Sequence, residues 1–298
     1  MPADIRLAVA TNAETLARIR QPLANRDIHA EHVPVSERTL PLDGSLGEFD
    51  AGFVFPSRLM EGGVADAMLD VPWVNSREDI LRSRNKAGAL ARLSAADVPT
   101  PKSVLVSNPV NDDDLEAVWA QFDAPVVVKP NSTTRGTGIA KVSDFDSLLG
   151  VTDYLDLVHD YRATGDRSYL IQEYLPDVRD YRVMTIDGEY VGAVERRLPE
   201  DALAEGQWKH NVHRGAEATG VDLDPELREL AERAARALDI DWLGVDVLVT
   251  EEGAVVNETN ARPTVDTATK YESDFYDRLA ALIRRLLQAD VGGGVEPL

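Results

Sequence analysis

The stretch GVDVLVTEEGAVVNETN, residues 244–260, contains two valine-rich segments on either side of a polar turn at residues 251–253. Its β-branched content and its alternation predict the two antiparallel strands of one hairpin. Three polar residues, Asp246, Glu258 and Asn260, interrupt the apolar pattern. Because an unpaired buried carboxylate is costly, we expect a group of opposite charge to compensate these positions.

The register of this hairpin decides whether the polar residues meet. A three-residue loop at residues 251–253, with Gly253 in the left-handed conformation, would bring Asp246 opposite Glu258. Asn260 lies two residues further along and shares the face of Glu258. Two facing carboxylates repel unless a cation lies between them, and three oxygen ligands suit Mg²⁺, with Mn²⁺ as the alternative ion. The competing interpretation is a solvent-facing strand with ordinary polar alternation.

The composition of the 298-residue chain is typical of a globular protein, with 44% hydrophobic and 28% charged residues. The formal net charge of -21 argues against general binding to nucleic acid or to anionic membranes, which both favour basic surfaces. No apolar run approaches the roughly 18 residues of a membrane span, and the N-terminus lacks a signal-peptide pattern. We therefore expect a cytoplasmic protein, either a monomer or a homo-oligomer.

Acidic residues number 52, whereas the 31 basic residues include only 6 lysines. This excess predicts a salt-adapted surface, since salt screens the repulsion between like charges. The absence of cysteine excludes thiolate chemistry, so a metal must be held by oxygen or imidazole ligands. Among so few lysines, Lys86 and Lys129 stand in apolar or glycine-rich contexts, which makes them candidate ligand-binding residues.

The spacing of the predicted strands and helices changes along the chain. The first lobe alternates short strands and helices, which predicts an open α/β lobe. A helix capped by Ser76 and extending to about Ser94 follows, and the closer strands beyond it are typical of α+β organisation. The predicted segments are an N-terminal lobe at 1–76, a small subdomain with its linker helix at 77–172, a central subdomain at 173–290 and a tail at 291–298.

A second candidate site is the stretch VVVKPNSTTRGTGIAKV, residues 126–142. A strand ends at Lys129, and a loop of small hydroxyl residues with Gly136 and Gly138 leads to the next strand. Such a loop lets backbone N–H groups approach phosphate oxygens, while the lysine adds a point charge. It lacks the Gly-Lys-Ser/Thr ending of a Walker A loop, and a plain hairpin loop is the alternative interpretation.

Two further segments carry polar residues in unusual density. In IQEYLPDVRDYRV, Glu173 and Tyr174 end a strand and could meet an adenine edge, and Asp180 could bind a ribose hydroxyl. The alternative is an edge strand with paired surface charges. In VERRLPEDALAEGQWKHNVHRGA, a basic island within an acidic chain predicts an anionic ligand, although salt-bridged surface arginines are the alternative. The island consists of Arg196, Arg197, Lys209, His210, Asn211, His213 and Arg214.

In their order along the chain, the segments VVVKP, QEY, DYRV, VERR, NVHRGA, GVDVL and NETNARP resemble the successive motifs of the ATP-grasp superfamily. The resemblance is to the RimK-type α-L-glutamate ligases in particular, and it extends from about Trp73 to the end of the chain. It implies an ATP-grasp fold in which two antiparallel sheet lobes hold ATP, with Lys86 and Lys129 near the phosphates. The loop containing Gly136 and Gly138 would close over these phosphates.

The same resemblance implies roles for the other candidate residues. Glu173, Tyr174 and Asp180 would hold adenosine, and Arg214 is the candidate for stabilising a developing oxyanion. A tripeptide would contact the nucleotide, with its lysine facing the phosphates as a catalytic group, and the hairpin would bind Mg²⁺. The tripeptide is Lys209, His210 and Asn211, and the metal ligands are Asp246, Glu258 and Asn260.

The activity that the resemblance implies is ATP-dependent ligation of a carboxylate to an amine through an acyl phosphate. An amino acid such as L-glutamate would be added to a peptide or a cofactor acceptor. A dipeptide ligase of the D-alanine or glutathione type, and a nucleotide-binding module without ligase activity, are the alternatives. The sequence departs from the family's usual small residue, proline and glycine in having Ala261-Arg262-Pro263-Thr264, and its tripeptide reads Lys-His-Asn. Both departures lie near the acceptor, and the roles of Arg262 and His213 stay open.

Overall fold

Three sheets organise the chain, and they confirm the mixed α/β and α+β organisation predicted from the sequence. The computed structural model describes residues 4–11, 14–133, 137–158, 166–209, 212 and 215–292. Within these residues, no helix has both the length and the apolar composition needed to span a membrane.

The N-terminal lobe is built on a four-stranded sheet in the order β2-β1-β3-β4, and its strand pairs are parallel. Its strands are β1 (Ile5–Val9), β2 (Ile28–His32), β3 (Ala51–Phe53) and β4 (Trp73–Val74), and its helices are α1 (Glu14–Ala24) and α2 (Leu59–Leu69). The C-terminal helix α9 (Phe275–Gly292) packs against α1, β3 and β4. Apolar side chains of α9 therefore complete the core of this lobe.

Two short helices follow the first lobe, α3 (Arg77–Arg84) and α4 (Lys86–Ala95). The expected Ser76 cap is present as a capping box with Asp79, but the prediction of one continuous helix to Ser94 is wrong. The chain leaves the helical conformation at Asn85, with φ -72 and ψ 88, and the Asn85 side chain accepts a hydrogen bond from the backbone N–H of Gly88 at 3.0 Å. This cap restarts the helix, so Lys86 occupies its first position.

The small lobe contains a four-stranded antiparallel sheet in the order β5-β8-β6-β7. The strands are β5 (Ser103–Ser107), β6 (Val126–Pro130), β7 (Ala140–Val142) and β8 (Ser168–Glu173), and the helices are α5 (Asp112–Trp119) and α6 (Phe145–Val158). Valines of β6 and aliphatic residues of both helices form a core of its own. The sequence analysis does not single out α6.

The central sheet has the order β11-β10-β9-β12-β13, and β14 also pairs with β10. Its strands are β9 (Arg179–Ile186), β10 (Glu189–Arg197), β11 (Glu217–Gly220), β12 (Trp242–Thr250), β13 (Gly253–Asn260) and β14 (Lys270–Tyr271), and its helices are α7 (Glu200–Ala204) and α8 (Pro225–Leu238). The predicted turn at Asp187 and Gly188 joins β9 to β10, and both residues have positive φ. Helix α8 covers one face of the sheet.

The hairpin of β12 and β13 pairs Asp246 with Glu258, as the sequence predicts. The predicted three-residue loop is wrong, because Thr250 pairs directly with Gly253 across a two-residue turn. A register shift after Asp246 makes Asn257 the extra residue of a β-bulge. The bulge therefore restores the facing pair that the shorter turn alone would have displaced.

Asn75 joins the N-terminal lobe to the central sheet. Its side-chain amide donates to the carbonyl oxygens of Trp242 at 2.5 Å and Ala261 at 2.7 Å, and its carbonyl accepts from the Trp242 N–H at 3.1 Å. The residue is 3% exposed and has a φ of 57°. One buried side chain thus satisfies three backbone groups at the start of β12 and the end of β13.

We predict that Asn75→Gly lowers the free energy of unfolding by about 2–4 kcal/mol, because buried backbone groups lose their partners. Glycine accepts the positive φ, so the loss reports the hydrogen bonds rather than backbone strain. Chemical denaturation at fixed salt is the measurement. The control is Asn25→Gly, which removes an exposed asparagine at the end of α1. Equal stability of the two variants would contradict the role given to Asn75.

Candidate functional site

Charged side chains concentrate on the face of the central sheet that α8 does not cover. Strand alternation directs Val245 and Val247 of β12 into the core beneath α8, and it directs Asp246 to the other face. Arg182 of β9 lies directly opposite Asp246 in the strand register, and Glu258 of β13 lies opposite on the other side. The charges therefore form a row across three neighbouring strands.

Asp246 is held by two arginines. Arg182 donates from Nε to Oδ1 at 2.7 Å and from Nη2 to Oδ2 at 2.8 Å, and Arg196 Nη2 lies 3.1 Å from Oδ2. The residue is only 6% exposed. Burial alone would raise the pKa of Asp246, but the two guanidinium groups outweigh it and lower the pKa to about 2. The carboxylate is therefore ionised at any neutral pH.

Arg196 links Asp246 to a second buried carboxylate. Its Nε and Nη2 donate to Oδ1 of Asp180 at 3.1 Å and 2.5 Å, and both residues are buried. Burial alone would lower the pKa of Arg196, but Asp246 and Asp180 raise it above its ordinary value. Oδ1 of Asp180 therefore already accepts two bonds from Arg196, and the ribose contact predicted for Asp180 stays a prediction.

Glu258 also has a protein cation as its partner. Its Oε1 lies 3.1 Å from Nζ of Lys86, which in turn donates to the backbone carbonyl of Thr133 in the loop after β6. Lys86 is 5% exposed, although it occupies the first turn of α4. The compensation that the hairpin sequence demands is therefore supplied by arginines at Asp246 and by a lysine at Glu258.

The third predicted metal ligand, Asn260, turns its side-chain oxygen to the chain that follows. Oδ1 accepts a hydrogen bond from the backbone N–H of Arg262 at 2.9 Å. Two carboxylates and an amide oxygen are hard donors, and their common face fits a Mg²⁺ ion. No group of three or more Asp, Glu or His side chains within the described part of the chain has metal-binding geometry. The predicted set has two carboxylates and one amide oxygen, so a divalent ion at the hairpin would complete its coordination with water or ligand oxygens.

Lys129 reaches the same region from the small lobe. Its Nζ donates to Oε1 of Gln172 at 2.9 Å and lies 3.5 Å from Oδ1 of Asn257, the bulge residue of β13. The side chain is 3% exposed. Burial lowers the pKa of Lys129 from 10.5 to about 8, against the opposing attraction of Glu258. A buried ammonium of this kind favours an anionic ligand, which would stabilise its charge.

The loop after β6 is held by Asn131, the first residue of the predicted glycine-rich loop. Its Nδ2 donates to Oδ1 of Asn85 and to Oγ of Ser168, both at 3.0 Å, and its Oδ1 accepts from the Ala87 N–H at 2.8 Å. The carbonyl oxygen of Asn131 accepts from the Lys86 N–H at 3.2 Å. These bonds fix the first turn of α4 against the small lobe and so position Lys86.

Gly138 is required by the way this loop turns back. Its φ is 75°, and a Cβ atom there would lie 2.9 Å from Cγ of Pro130 at the end of β6. Thr133 also donates from its hydroxyl to the carbonyl of Thr137 at 3.0 Å. The backbone of the loop therefore lies close against β6. Gly136, also predicted to contact phosphate, lies outside the described residues.

The predicted hinge has its own contacts. Glu173 Oε1 accepts from the Lys102 N–H at 2.6 Å, so this carboxylate joins β8 to the start of β5. The Tyr174 ring meets Trp208 edge-on at 5.8 Å, and Nζ of Lys141 lies 4.6 Å from the centre of the tyrosine ring. Aromatic and cationic groups thus line the end of the cleft beside the hinge.

Lys209 bridges the central and small lobes, since its Nζ donates to the carbonyl of Ile139 at 2.5 Å. Four further members of the basic island, His210, Asn211, His213 and Arg214, lie outside the described residues. Their predicted roles therefore stay predictions. Lys209 lies at the contact between the small lobe and the segment that precedes residue 210.

Several residues of the site carry little signal in the sequence. Arg182 looks like a surface charge and Arg196 like one member of a basic island, yet both bind Asp246. Gln172 and Asn257 are uncharged polar residues beside a glutamate in their strands, and both contact Lys129. Strand alternation could have indicated Arg182, because it places Arg182 on the same strand face as Asp180.

The arrangement of the sheets is that of an ATP-grasp protein. A D-cycloserine synthetase has a TM-score of 0.70 at 19% identity, covering 94% of this chain and 99% of that chain. A RimK domain ATP-grasp protein from Sphaerobacter thermophilus has a TM-score of 0.64 at 21% identity, covering 95% of this chain and 99% of that chain. At these identities the likeness shows the fold alone.

Sequence similarity assigns the chain to one family within this fold. The RimK-like ATP-grasp domain matches residues 83–283, and the chain belongs to that family. A probable alpha-L-glutamate ligase from Citrobacter koseri is 31% identical over 199 residues. A ribosomal protein bS6--L-glutamate ligase from Escherichia coli is 30% identical over 199 residues. Each alignment covers 66% of this chain and 62% of the relative, which is less than two thirds of the relative's length.

We predict that Lys129→Met changes the pH dependence of folding. Because the folded-state pKa of Lys129 is about 8 against an ordinary 10.5, its buried charge destabilises the chain below pH 8. Wild-type stability should therefore rise between these values, by about 3 kcal/mol for a shift of this size. The methionine variant should lack this rise.

The measurement is denaturant unfolding of both proteins from neutral pH to pH values above the ordinary pKa of lysine. Lys102→Met, which removes an exposed lysine from the same lobe, is the control for the loss of a lysine. Parallel pH curves for the wild type and Lys129→Met would contradict the lowered pKa.

Proposed function

We propose that this protein is an ATP-dependent carboxylate–amine ligase. A substrate carboxylate attacks the γ-phosphate to give an acyl phosphate and ADP, and an amine then displaces phosphate to form an amide. The observation that carries this proposal is the meeting of Lys86 and Lys129 with the facing pair Asp246 and Glu258 between two antiparallel sheets. This combination offers cations to phosphate oxygens and hard oxygen ligands to a divalent ion.

The cations come from three separate elements, which supports a role in clamping phosphates. Lys86 begins α4, Lys129 ends β6 and Arg182 lies on β9. Positioning and charge neutralisation supply most of the catalysis of phosphoryl transfer, and they need no protein nucleophile. The absence of cysteine from the chain is compatible with such a mechanism.

Asp246, Glu258 and Asn260 are the residues that would hold Mg²⁺. The ion would neutralise phosphate charge when bound. The chain's own contribution is to orient the phosphates with Lys86 and Lys129 and to keep water from the acyl phosphate by closing the small lobe.

The remaining site residues form the nucleoside and acceptor ends of the proposal. Tyr174 and the backbone at Glu173 would meet adenine, and Lys209 with His210 and Asn211 would contact the nucleotide. Arg214 is our candidate for the oxyanion that develops when the amine attacks. The cation and aromatic rings around Tyr174 support the placement of a flat base at that end.

For the substrates, we propose an amino acid such as L-glutamate as the amine and a peptide or cofactor carboxylate as the acceptor. Support comes from the curated relatives, whose names specify L-glutamate ligation, in one case to ribosomal protein bS6. Arg262 lies next to the proposed metal ligands, and its side chain could select one acceptor over another. A D-alanine or glutathione type of dipeptide ligase would use the same chemistry with a free amino acid as the acceptor.

The proposal is tested by measuring ADP and phosphate release in high salt with Mg²⁺ and single amino acids, each with and without candidate acceptors. Release that requires L-glutamate together with a peptide or a γ-glutamyl acceptor is the expected result. Release with one amino acid alone would indicate a dipeptide ligase. Nucleotide binding without release in any combination would indicate a non-catalytic module.

We further predict that two neighbouring substitutions on β13 differ in their effect on turnover. Glu258→Gln should lower turnover by about 10²-fold or more, since it removes a charged ligand at the phosphates. Its apo stability should fall by about 1–2 kcal/mol, because buried Lys86 loses its counter-charge. The sequence alone predicts that Asp246 and Glu258 repel each other in the apo protein. Lys86, which lies 3.1 Å from Glu258, compensates this repulsion.

Thr259→Val is the matched control, because Thr259 points to the opposite face and its Oγ1 lies 3.1 Å from Oγ of Ser83. It should keep near-normal turnover and lose about 1 kcal/mol of stability with that hydrogen bond. Phosphate release at saturating Mg²⁺ and apo denaturation of both variants are the measurements. Normal turnover in Glu258→Gln together with loss in Thr259→Val would invert the proposed face of β13.

A further inference from the structure

Asp246 has a feature that a simple metal ligand would not need. Both of its carboxylate oxygens accept hydrogen bonds from Arg182, and Arg196 lies 3.1 Å from one of them. Such bidentate arginine–carboxylate pairs are among the stronger charge-assisted interactions in proteins. A divalent cation that approached Asp246 in this state would meet two guanidinium charges within a few ångströms.

The two arginines differ in what else holds them. The Arg196 side chain is 8% exposed and also pairs with Asp180, which keeps its charge compensated when Asp246 is engaged elsewhere. The Arg182 side chain is 32% exposed, and both of its hydrogen bonds described above go to Asp246. Arg182 is therefore the arginine that can leave at the lower cost.

The surroundings of Arg182 supply a second position for its charge. The row of Glu258, Asp246 and Arg182 crosses the face that Lys86 approaches from the start of α4 and Lys129 from the small lobe. Phosphate oxygens bound by these lysines would lie over the same strands. A guanidinium released from Asp246 would then find anionic oxygens nearby, and arginine binds phosphate in the same bidentate way.

We propose that Arg182 is exchanged between two partners: it binds Asp246 in the nucleotide-free chain and moves to the nucleotide phosphates when a divalent ion takes Asp246. Metal and nucleotide then bind together rather than independently. Asp180 acts in this exchange as a positioning residue, because it keeps Arg196 in place while Arg182 moves. The inference rests on the proposed nucleotide site and adds a residue and a binding order to it.

The charges explain why each ligand needs the other. The divalent ion alone must compete with Arg182 for Asp246, while phosphates alone would approach two carboxylates that no metal neutralises. Binding of both moves Arg182 to the phosphates and leaves every charge with a partner. This is positive cooperativity, with a favourable (negative) coupling free energy, and that free energy must be the same whichever ligand binds first.

The test measures Mn²⁺ binding to the full chain by the loss of the free-ion electron paramagnetic resonance signal, without nucleotide and with saturating ADP, after subtraction of the loss that ADP alone causes in protein-free solution. The wild type should bind Mn²⁺ weakly alone and at least ~10-fold more tightly with ADP, within the usual range of such coupling. Arg182→Gln should bind Mn²⁺ alone at least ~10-fold more tightly than the wild type and should gain less from ADP.

Arg179→Gln is the matched control, because Arg179 lies on the same strand but pairs with Glu195 on the other face. Its Mn²⁺ affinity should equal that of the wild type with and without ADP. Arg182→Lys keeps the charge without the bidentate fork and should fall between the wild type and Arg182→Gln. Thermal unfolding of each variant establishes that the chain is folded. If Arg182→Gln does not fold, the comparison of Arg182→Lys with the wild type decides the case.

Equal Mn²⁺ affinity in the wild type, Arg182→Gln and Arg182→Lys would overturn the exchange, as would wild-type Mn²⁺ binding that is unchanged by ADP. Either result would leave the proposed function standing, provided that ADP binds. Failure of the wild type to bind ADP under any metal condition would instead defeat the nucleotide site, and the exchange with it.

Discussion

The structure depends on the pairing of Asp246 with Arg182 and Arg196 in the middle of a valine-rich sheet. A carboxylate at this depth is tolerated only because cations on the neighbouring strand β9 and on β10 meet it, and loss of one partner from a buried pair costs about 3–5 kcal/mol. The pairing therefore constrains the register of three strands at once. A slip of one residue on any of them would turn the charges into the core beneath α8.

Much of the central lobe is predictable because its signals are local. The turn at Asp187 and Gly188 and the amphipathic helix α8 depend on residues within a few positions. The facing pair of Asp246 and Glu258 is predicted from a three-residue loop, and the bulge at Asn257 preserves it across the shorter turn. The break at Asn85 was not predictable, because it depends on Asn131, 46 residues further along. The two-residue turn was also missed, since Asn257 compensates for it at the other end of the hairpin.

The candidate site, like the fold, was predictable only in part. The scarcity of lysine makes Lys86 and Lys129 conspicuous in the sequence, and both prove to be buried beside Glu258. Sequence patterns report residue types but not partners, so they indicate that Asp246 needs a cation without identifying Arg182. The same holds for Asp180, because its spacing in the sequence does not identify Arg196 as its partner.

The amide of Asn75 has a mechanical consequence. It fastens the first lobe to β12 and β13, and apolar side chains of α9, β4 and the central sheet share one core across that boundary. The small lobe has a separate core and meets the rest partly through polar contacts such as Lys129 with Asn257. We therefore expect the first and central lobes to move as one unit, and any large motion within the chain to occur between this unit and the small lobe. A ligand bound between the first two lobes would then keep its surroundings while the position of the small lobe changes.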